Sequence, residues 1–261
     1  MIGAILWNQY SFAGLFLFIS IIAQLEFYSL ATTEDVKPQK WIGLICGVAF
    51  YILIISLASS NLGIVLSAFG RIPLIMIPLF FVIFIIELYR RSPQPFANIG
   101  YTILGIIYIP FTLALLSLIA TSSNDKGFHP QIIVHYFFIL WASDIGAYFV
   151  GKKFGKTKLF ERISPKKTWE GSIGGAVLAF IVAHFVSHHD KILTQVDWIV
   201  ITSIIVVFGT FGDLVESIFK RSIQIKDSGT ILPGHGGFLD RFDGLFISSP
   251  FVFTYLMAVY G

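Results

Sequence analysis

The residues with chemistry to offer gather in the C-terminal part of the chain. Asp213, Glu216, Ser217 and Lys220 are spaced 0, 3, 4 and 7, which at about 100° per residue places them on one stripe of a helix. Their neighbours are Ile, Val, Phe and Gly. A carboxylate in such an apolar helix is costly and marks a site by default. The plainer alternative, a Glu216–Lys220 ion pair reaching for the interface, suits Glu216 better than the deeper Asp213. Asp240 and Asp243, three apart at the start of a last apolar run, also share a helical face. Capping is the plain alternative for them, because a helix N-terminus favours negative charge. Two acids on one helix and one or two on another are what Mg²⁺ uses, with phosphates and waters completing its shell. Arg241 stands between the acids and suits a phosphate or a carboxylate. Leu232-Pro233-Gly234-His235-Gly236-Gly237 lies between the two helices. Its glycines allow backbone amides to approach an anion, and His235 either touches phosphate or caps the turn.

Two further groups join this set. Asp144 lies in an apolar run beside Ala142, Ser143, Gly146 and Ala147, small residues that let helices pack closely. It is a site acid or one half of an interhelical hydrogen bond. Downstream, Ser164-Pro165-Lys166-Lys167-Thr168-Trp169-Glu170-Gly171 combines a turn, two cations, a hydroxyl and an aromatic just before a helix. It would suit a triphosphate or a phosphate head group. The plain reading of its basic surroundings is topology plus attraction to anionic lipid. The loop is too short to serve nucleic acid. His184, His188 and His189 have no further ligands nearby for zinc.

These residues need a scaffold, and the composition says which kind. The chain has 261 residues, 56% hydrophobic and 13% charged, with mean hydropathy +0.81. Soluble domains carry about 25% charged residues. Uncharged apolar runs of about 20 residues read as transmembrane helices. The expected class is all-α, a polytopic integral membrane protein of about eight transmembrane helices with polar loops. The runs are Ile2–Ala31, Trp41–Ser59, Ile72–Tyr89, Ile99–Thr121, Gln131–Val150, Gly171–Ser187, Trp198–Phe219 and Leu239–Tyr260. The first is long enough to contain a break, and Ser60–Arg71 could re-enter the membrane. Pro78, Pro110 and Pro250 should bend their helices rather than end them. The N-terminal run lacks the basic start and cleavage pattern of a signal peptide and reads as a membrane segment. Cys46, the single cysteine, reads as a small buried hydrophobe.

Of the 18 Lys and Arg, fifteen fall in the odd-numbered loops between runs, counting Arg241 at the start of the last run with the seventh loop, and seven of them lie from Lys152 to Lys167. The positive-inside rule then puts those loops in the cytoplasm and both termini outside. The organisation expected is one membrane-embedded unit, with about four N-terminal helices over 1–130 and a catalytic region over 131–261.

The stretch from Ser217 to Asp243 resembles the signature of the phosphatidate cytidylyltransferases, or CDP-diacylglycerol synthases. That signature runs S-x-x-K-R-x-x-x-x-K-D-x-x-x-x-x-P-x-H-G-G-x-x-D-R-x-D. It is met at Ser217, Lys220, Arg221, Lys226, Asp227, Pro233, His235, Gly236, Gly237, Asp240, Arg241 and Asp243. The segments around Asp144 and Ser164–Gly171 resemble the family too, whereas the N-terminal half agrees only as apolar helices. The resemblance implies the reaction of CTP with phosphatidate to give CDP-diacylglycerol and pyrophosphate, at the cytoplasmic face of a bacterial-type inner (plasma) membrane. It implies Mg²⁺ on Asp213 and Asp240, with Asp144 and Asp243 as further site acids and a second cation such as K⁺ left open. Lys220, Arg221, Lys226, Lys166 and Lys167 would neutralise phosphate charge, and Ser164, Ser217, Asp227, His235, Gly236, Gly237 and Arg241 would line the substrates. The family's tendency implies a homodimer. Two other classes remain open: a CTP-dependent prenol or lipid kinase, and an ion-coupled transporter. A transporter has no need of so long a charged signature.

Overall fold

The structure, a computed structural model, describes residues 1–58, 72–123, 127–223, 225 and 237–261. Each of the eight apolar runs forms helix. The first is broken: α1 (Ile2–Trp7) stops before Asn8, and α2 (Gln9–Leu30) starts after it. Asn8 is extended, and its Oδ1 accepts from the amides of Tyr10 and Ser11 at 2.9 and 2.8 Å, while Ser11 Oγ accepts from the Asn8 amide at 3.2 Å. This reciprocal cap is the reason for the break. Then come α3 (Lys40–Ala58) and α4 (Ile72–Arg90). α5 (Pro95–Ile106) passes through a π-helical turn at Ile107–Phe111 into α6 (Thr112–Ile119). Pro110 lies inside that turn. The helix widens around it instead of stopping, as Pro78 in α4 and Pro250 in the last helix also permit.

After α6 come α7 (Pro130–Phe154), strands β1 (Lys158–Phe160) and β2 (Ser164–Thr168), α8 (Trp169–His189), α9 (Gln195–Ser222) and α10 (Leu239–Tyr260). Among the described residues, six helical stretches are long and apolar enough to cross a membrane, including Pro95–Ile119 taken as one. The protein is an all-α, polytopic integral membrane protein, with Cys46 buried. The expected re-entrant stretch, Ser60–Arg71, lies outside the described residues.

The strands are the one departure from the helical expectation. The basic loop is a two-stranded antiparallel hairpin pairing Lys158 with Thr168 and Phe160 with Ser164. Too few residues alternate there to signal strands. The hairpin is closed at its base by tertiary bonds from Glu170, described below.

The described residues fall into two compact units. One contains 1–6, 119–123, 127–223, 225 and 242–261; the other contains 7–58, 72–118 and 237–241. In the second, α2 is tied to its neighbours by buried polar bonds. Gln24 Nε2 donates to the Gly43 carbonyl at 2.9 Å, and the Tyr28 hydroxyl donates to the Thr102 carbonyl at 2.7 Å. Nearby, Glu87 accepts from Gln39 at 2.7 Å and Asn98 at 2.5 Å and pairs with Arg90 at 3.0 Å. In an apolar setting such buried groups are tolerated because they are bonded.

Candidate functional site

The first unit builds a cluster of charge from four elements. α7 and α8 pack with almost no side chain between them. A Cβ added at Gly146 would lie 2.7 Å from the Gly174 carbonyl oxygen, and one at Gly175 would lie 2.6 Å from that of Ser143. This is the close packing that small residues permit, and Asp144 follows Ser143 directly.

α8 begins where the hairpin ends. Thr168 is buried, and its Oγ1 accepts from the Gly171 amide at 3.2 Å, capping α8. The Glu170 carboxylate accepts from the amides of Lys156 at 3.0 Å and Thr157 at 3.1 Å. The Trp169 amide donates to the Thr157 carbonyl at 3.0 Å. These bonds fix the base of the hairpin and so the direction of β2. Adjacent residues on a strand face opposite ways, which separates the two lysines expected to act together. Lys166 is exposed. Lys167 turns inward, its Nζ 2.5 Å from Asp213 Oδ2 and 3.5 Å from the Thr210 carbonyl oxygen.

Asp213 sits where α9 meets α10. A Cβ on Gly212 would run onto the carbonyl oxygen of Asp243 and come within 2.8 Å of the Gly244 Cα. Only glycine allows the backbones to pass so closely, and the crossing brings Asp243 into the cluster. Its Oδ1 accepts from the Gly244 amide at 2.6 Å. Asp144, Asp213 and Asp243 lie within electrostatic range of one another and of Lys167. Lys167 is thus a cation that all three acids share. On the same stripe of α9, Ser217 Oγ donates to Asp213 Oδ1 at 3.3 Å, and Lys220 pairs with the buried Glu216 at 3.4 Å. The ion-pair reading of Glu216 is the one found.

The other expected site residues are placed as follows. Ser164 opens β2 and is half-buried. Arg221 is exposed, with Nη1 3.5 Å from the Ile225 carbonyl oxygen. Arg241 is exposed, and its amide donates to the Phe238 carbonyl at 3.1 Å. In the second unit, the Gly237 amide donates to Asp240 Oδ2 at 3.3 Å. Lys226, Asp227, His235 and Gly236 lie outside the described residues.

Two acids were not singled out. Glu170 stands in the first turn of α8. Glu26 lies near the end of α2, and in the second unit its Oε2 accepts from the amides of Phe238 at 2.7 Å and Leu239 at 3.1 Å. The rule that flags Asp213 applies equally to Glu26, an acid in an apolar run; nothing in its local spacing points to a partner more than two hundred residues away.

Among the described residues, no group of three or more His, Cys, Asp or Glu side chains closes on a metal ion. Mg²⁺ does not require one: it takes one or two carboxylates, completing its shell with phosphates and waters. The hard carboxylate oxygens of Asp144, Asp213 and Asp243 fit that need.

A membrane-embedded bundle with clustered aspartates and an inward lysine defines a class of protein, and the comparisons give it a family. Residues 1–259 match the model of the Cytidylyltransferase family, and the chain belongs to that family. Among its curated relatives, phosphatidate cytidylyltransferase of Haemophilus influenzae is 44% identical over 155 residues, 56% of this chain and 53% of that protein. The Bacillus subtilis protein of the same name is 39% identical over 171 residues, 65% of this chain and 62% of its own. That of Staphylococcus aureus (strain COL) is 33% identical over 242 residues, 90% of this chain and 87% of its own. The matches to the Bacillus and Haemophilus proteins thus cover less than two thirds of those proteins' lengths.

Proposed function

We propose that this protein transfers a cytidylyl group from CTP to phosphatidate at the cytoplasmic face of a bacterial-type plasma membrane. A phosphate oxygen of phosphatidate forms a bond to the α-phosphorus of CTP. The bond from that phosphorus to the β-phosphate's bridging oxygen breaks, and pyrophosphate leaves. The observation that carries the reading is the Lys167–Asp213 pair within electrostatic range of Asp144 and Asp243, with Asp213 and Asp243 on the helices that bear the signature. The names of the relatives support the choice of substrates.

The nucleophile is already an anion, so the protein has no need of a strong base. Its work is alignment and neutralisation of charge. Lys167 has three N–H donors; Asp213 and the Thr210 carbonyl oxygen take two, and a triphosphate oxygen can take the third. The hairpin holds that ammonium in place before substrate arrives. Lys166, exposed on the opposite side of β2, is the cation for a more peripheral phosphate. Asp213 is held by Ser217 and offers oxygen to a metal, with Asp144 and Asp243 beside it. Asp240, one turn before Asp243 on α10, is proposed as a further ligand from the signature. Mg²⁺ bound there would supply a positive charge shared between phosphate oxygens.

The test is an assay of detergent-purified protein with labelled CTP, phosphatidate and Mg²⁺. CDP-lipid and pyrophosphate should form together. EDTA, Asp213→Asn and Asp240→Asn should each remove turnover. CDP in place of pyrophosphate would assign the protein to γ-phosphate transfer, the kinase reading. Undiminished turnover in Asp213→Asn would remove the metal assignment.

A further inference from the structure

We infer that Glu26, on the N-terminal helix α2, is a positioning residue that fixes the start of the signature helix α10 and with it the carboxylate of Asp240. This rests on the function proposed above. Glu26 is 3% exposed and lies in a helix apolar enough to cross a membrane. A buried carboxylate is expensive there unless it is used. Its Oε2 accepts from the amides of Phe238 and Leu239 at 2.7 and 3.1 Å. These are amides at the very start of α10, which have no partner within the helix. A carboxylate at that end also meets the positive end of the helix dipole. Asp240 follows Leu239 directly and accepts from the Gly237 amide at 3.3 Å. The three successive amides of Gly237, Phe238 and Leu239 are therefore held by carboxylates, one from a distant helix and one from the proposed ligand itself.

The platform carrying Glu26 is rigid. Gln24 and Tyr28, two residues to either side, are bonded to each other at 2.9 Å. They are also bonded to the Gly43 and Thr102 carbonyls, on α3 and α5. Glu26 therefore transmits a fixed position rather than a mobile contact. Its other oxygen, Oε1, is buried with no hydrogen-bond partner among the described residues. A carboxylate that needed only to satisfy itself would not leave that oxygen bare; the side chain is aimed by the amides of α10.

Three variants and two readouts test this. Glu26→Gln keeps an acceptor oxygen for the two amides and loses the charge. Glu26→Ala loses both. A reacting group displaced by about 1 Å costs on the order of 100-fold in rate. Turnover of the folded, monodisperse fraction should thus fall about 100-fold in Glu26→Ala, and the KM for CTP should change far less. Glu26→Gln should recover most of the loss. Ser29→Ala, which removes two exposed bonds, one to the Leu25 carbonyl and one from Lys40 Nζ at 3.4 Å, should keep wild-type turnover. Hydrogen exchange of the peptide covering 237–241 gives a readout independent of activity: slow in wild type and Glu26→Gln, fast in Glu26→Ala. Wild-type turnover in Glu26→Ala, or equal loss in Gln and Ala, would overturn the inference. So would unchanged exchange in Glu26→Ala. A wild-type protein with no cytidylyl transfer but the expected exchange pattern would instead overturn the proposed function and leave the positioning intact.

Discussion

Replacing Gly212 by alanine separates geometry from stability at the acid cluster. The added methyl would collide with backbone, the Asp243 carbonyl oxygen and the Gly244 Cα, the latter at 2.8 Å. Ordinary contact begins at 3.4 Å, so α9 and α10 must part by about 0.6 Å to clear the Gly244 Cα, and further to clear the carbonyl. Overpacking of this kind costs about 1–3 kcal/mol. Alanine recovers about 1 kcal/mol through its helix propensity. The net loss of stability is therefore about 0–2 kcal/mol, and the protein should still fold. Activity has no such compensation. Asp213 is the residue after Gly212, and Asp243 is the residue it meets, so the displacement falls on the proposed site. By the scale of about 100-fold per Å, turnover should drop at least about tenfold. Gly14→Ala and Gly100→Ala are the controls, since neither Cβ would meet anything within 4 Å; both should keep full activity. The assay is CDP-lipid formation by purified protein beside its thermal melt. Wild-type turnover in Gly212→Ala would refute the close crossing as the device that holds these acids.

Lys167→Met should lower kcat/KM for CTP by about 10–100-fold, the equivalent of about 1.5–3 kcal/mol for a hydrogen bond to a charged group; Lys166→Met should cost much less, because Lys166 is exposed. Equal losses at the two positions would contradict their placement on opposite sides of β2. Glu170→Gln weakens the bonds to the Lys156 and Thr157 amides, so trypsin should cut after Lys156 and Lys158 several-fold faster in the detergent-solubilised variant; an unchanged digestion rate would show that the hairpin does not depend on Glu170.

How far the sequence discloses this molecule depends on the range of each interaction. The helices follow from local apolar runs, and even the break at Asn8 has a local cause, the bond between Asn8 and Ser11. Asp213, Ser217 and Lys220 are legible for the same reason: helical spacing alone puts them on one stripe. The small residues around Asp144 announce close packing, which Gly146 and Gly175 then provide. The hairpin is hidden, because three- and five-residue strands carry too little alternation to read. What holds it is Glu170 reaching back 13 and 14 residues. The separation of Lys166 from Lys167 follows only once that strand exists.

Glu26 lies at the far end of this scale. Its partners, Phe238 and Leu239, are 212 and 213 residues away, and no periodicity connects them. Only the cost of burying a carboxylate in an apolar helix gives it away. That cost is a stronger guide than spacing, because it holds whatever the distance to the partner. Applied evenly, it selects Glu26, Glu87, Asp144, Asp213, Glu216, Asp240 and Asp243 from the apolar runs. The structure then sorts them by what they touch. Glu87 and Glu216 have their charge balanced by Arg90 and Lys220, each within one turn, although Glu87 also accepts from Gln39 and Asn98. Asp144 and Asp213 share a single lysine from another element with Asp243, and Glu26 meets the start of another helix. Acids whose charge is met locally stabilise their own helix. Acids met only from a distance hold the arrangement of several, and those are the positions where loss of the side chain's oxygens should cost turnover before it costs folding.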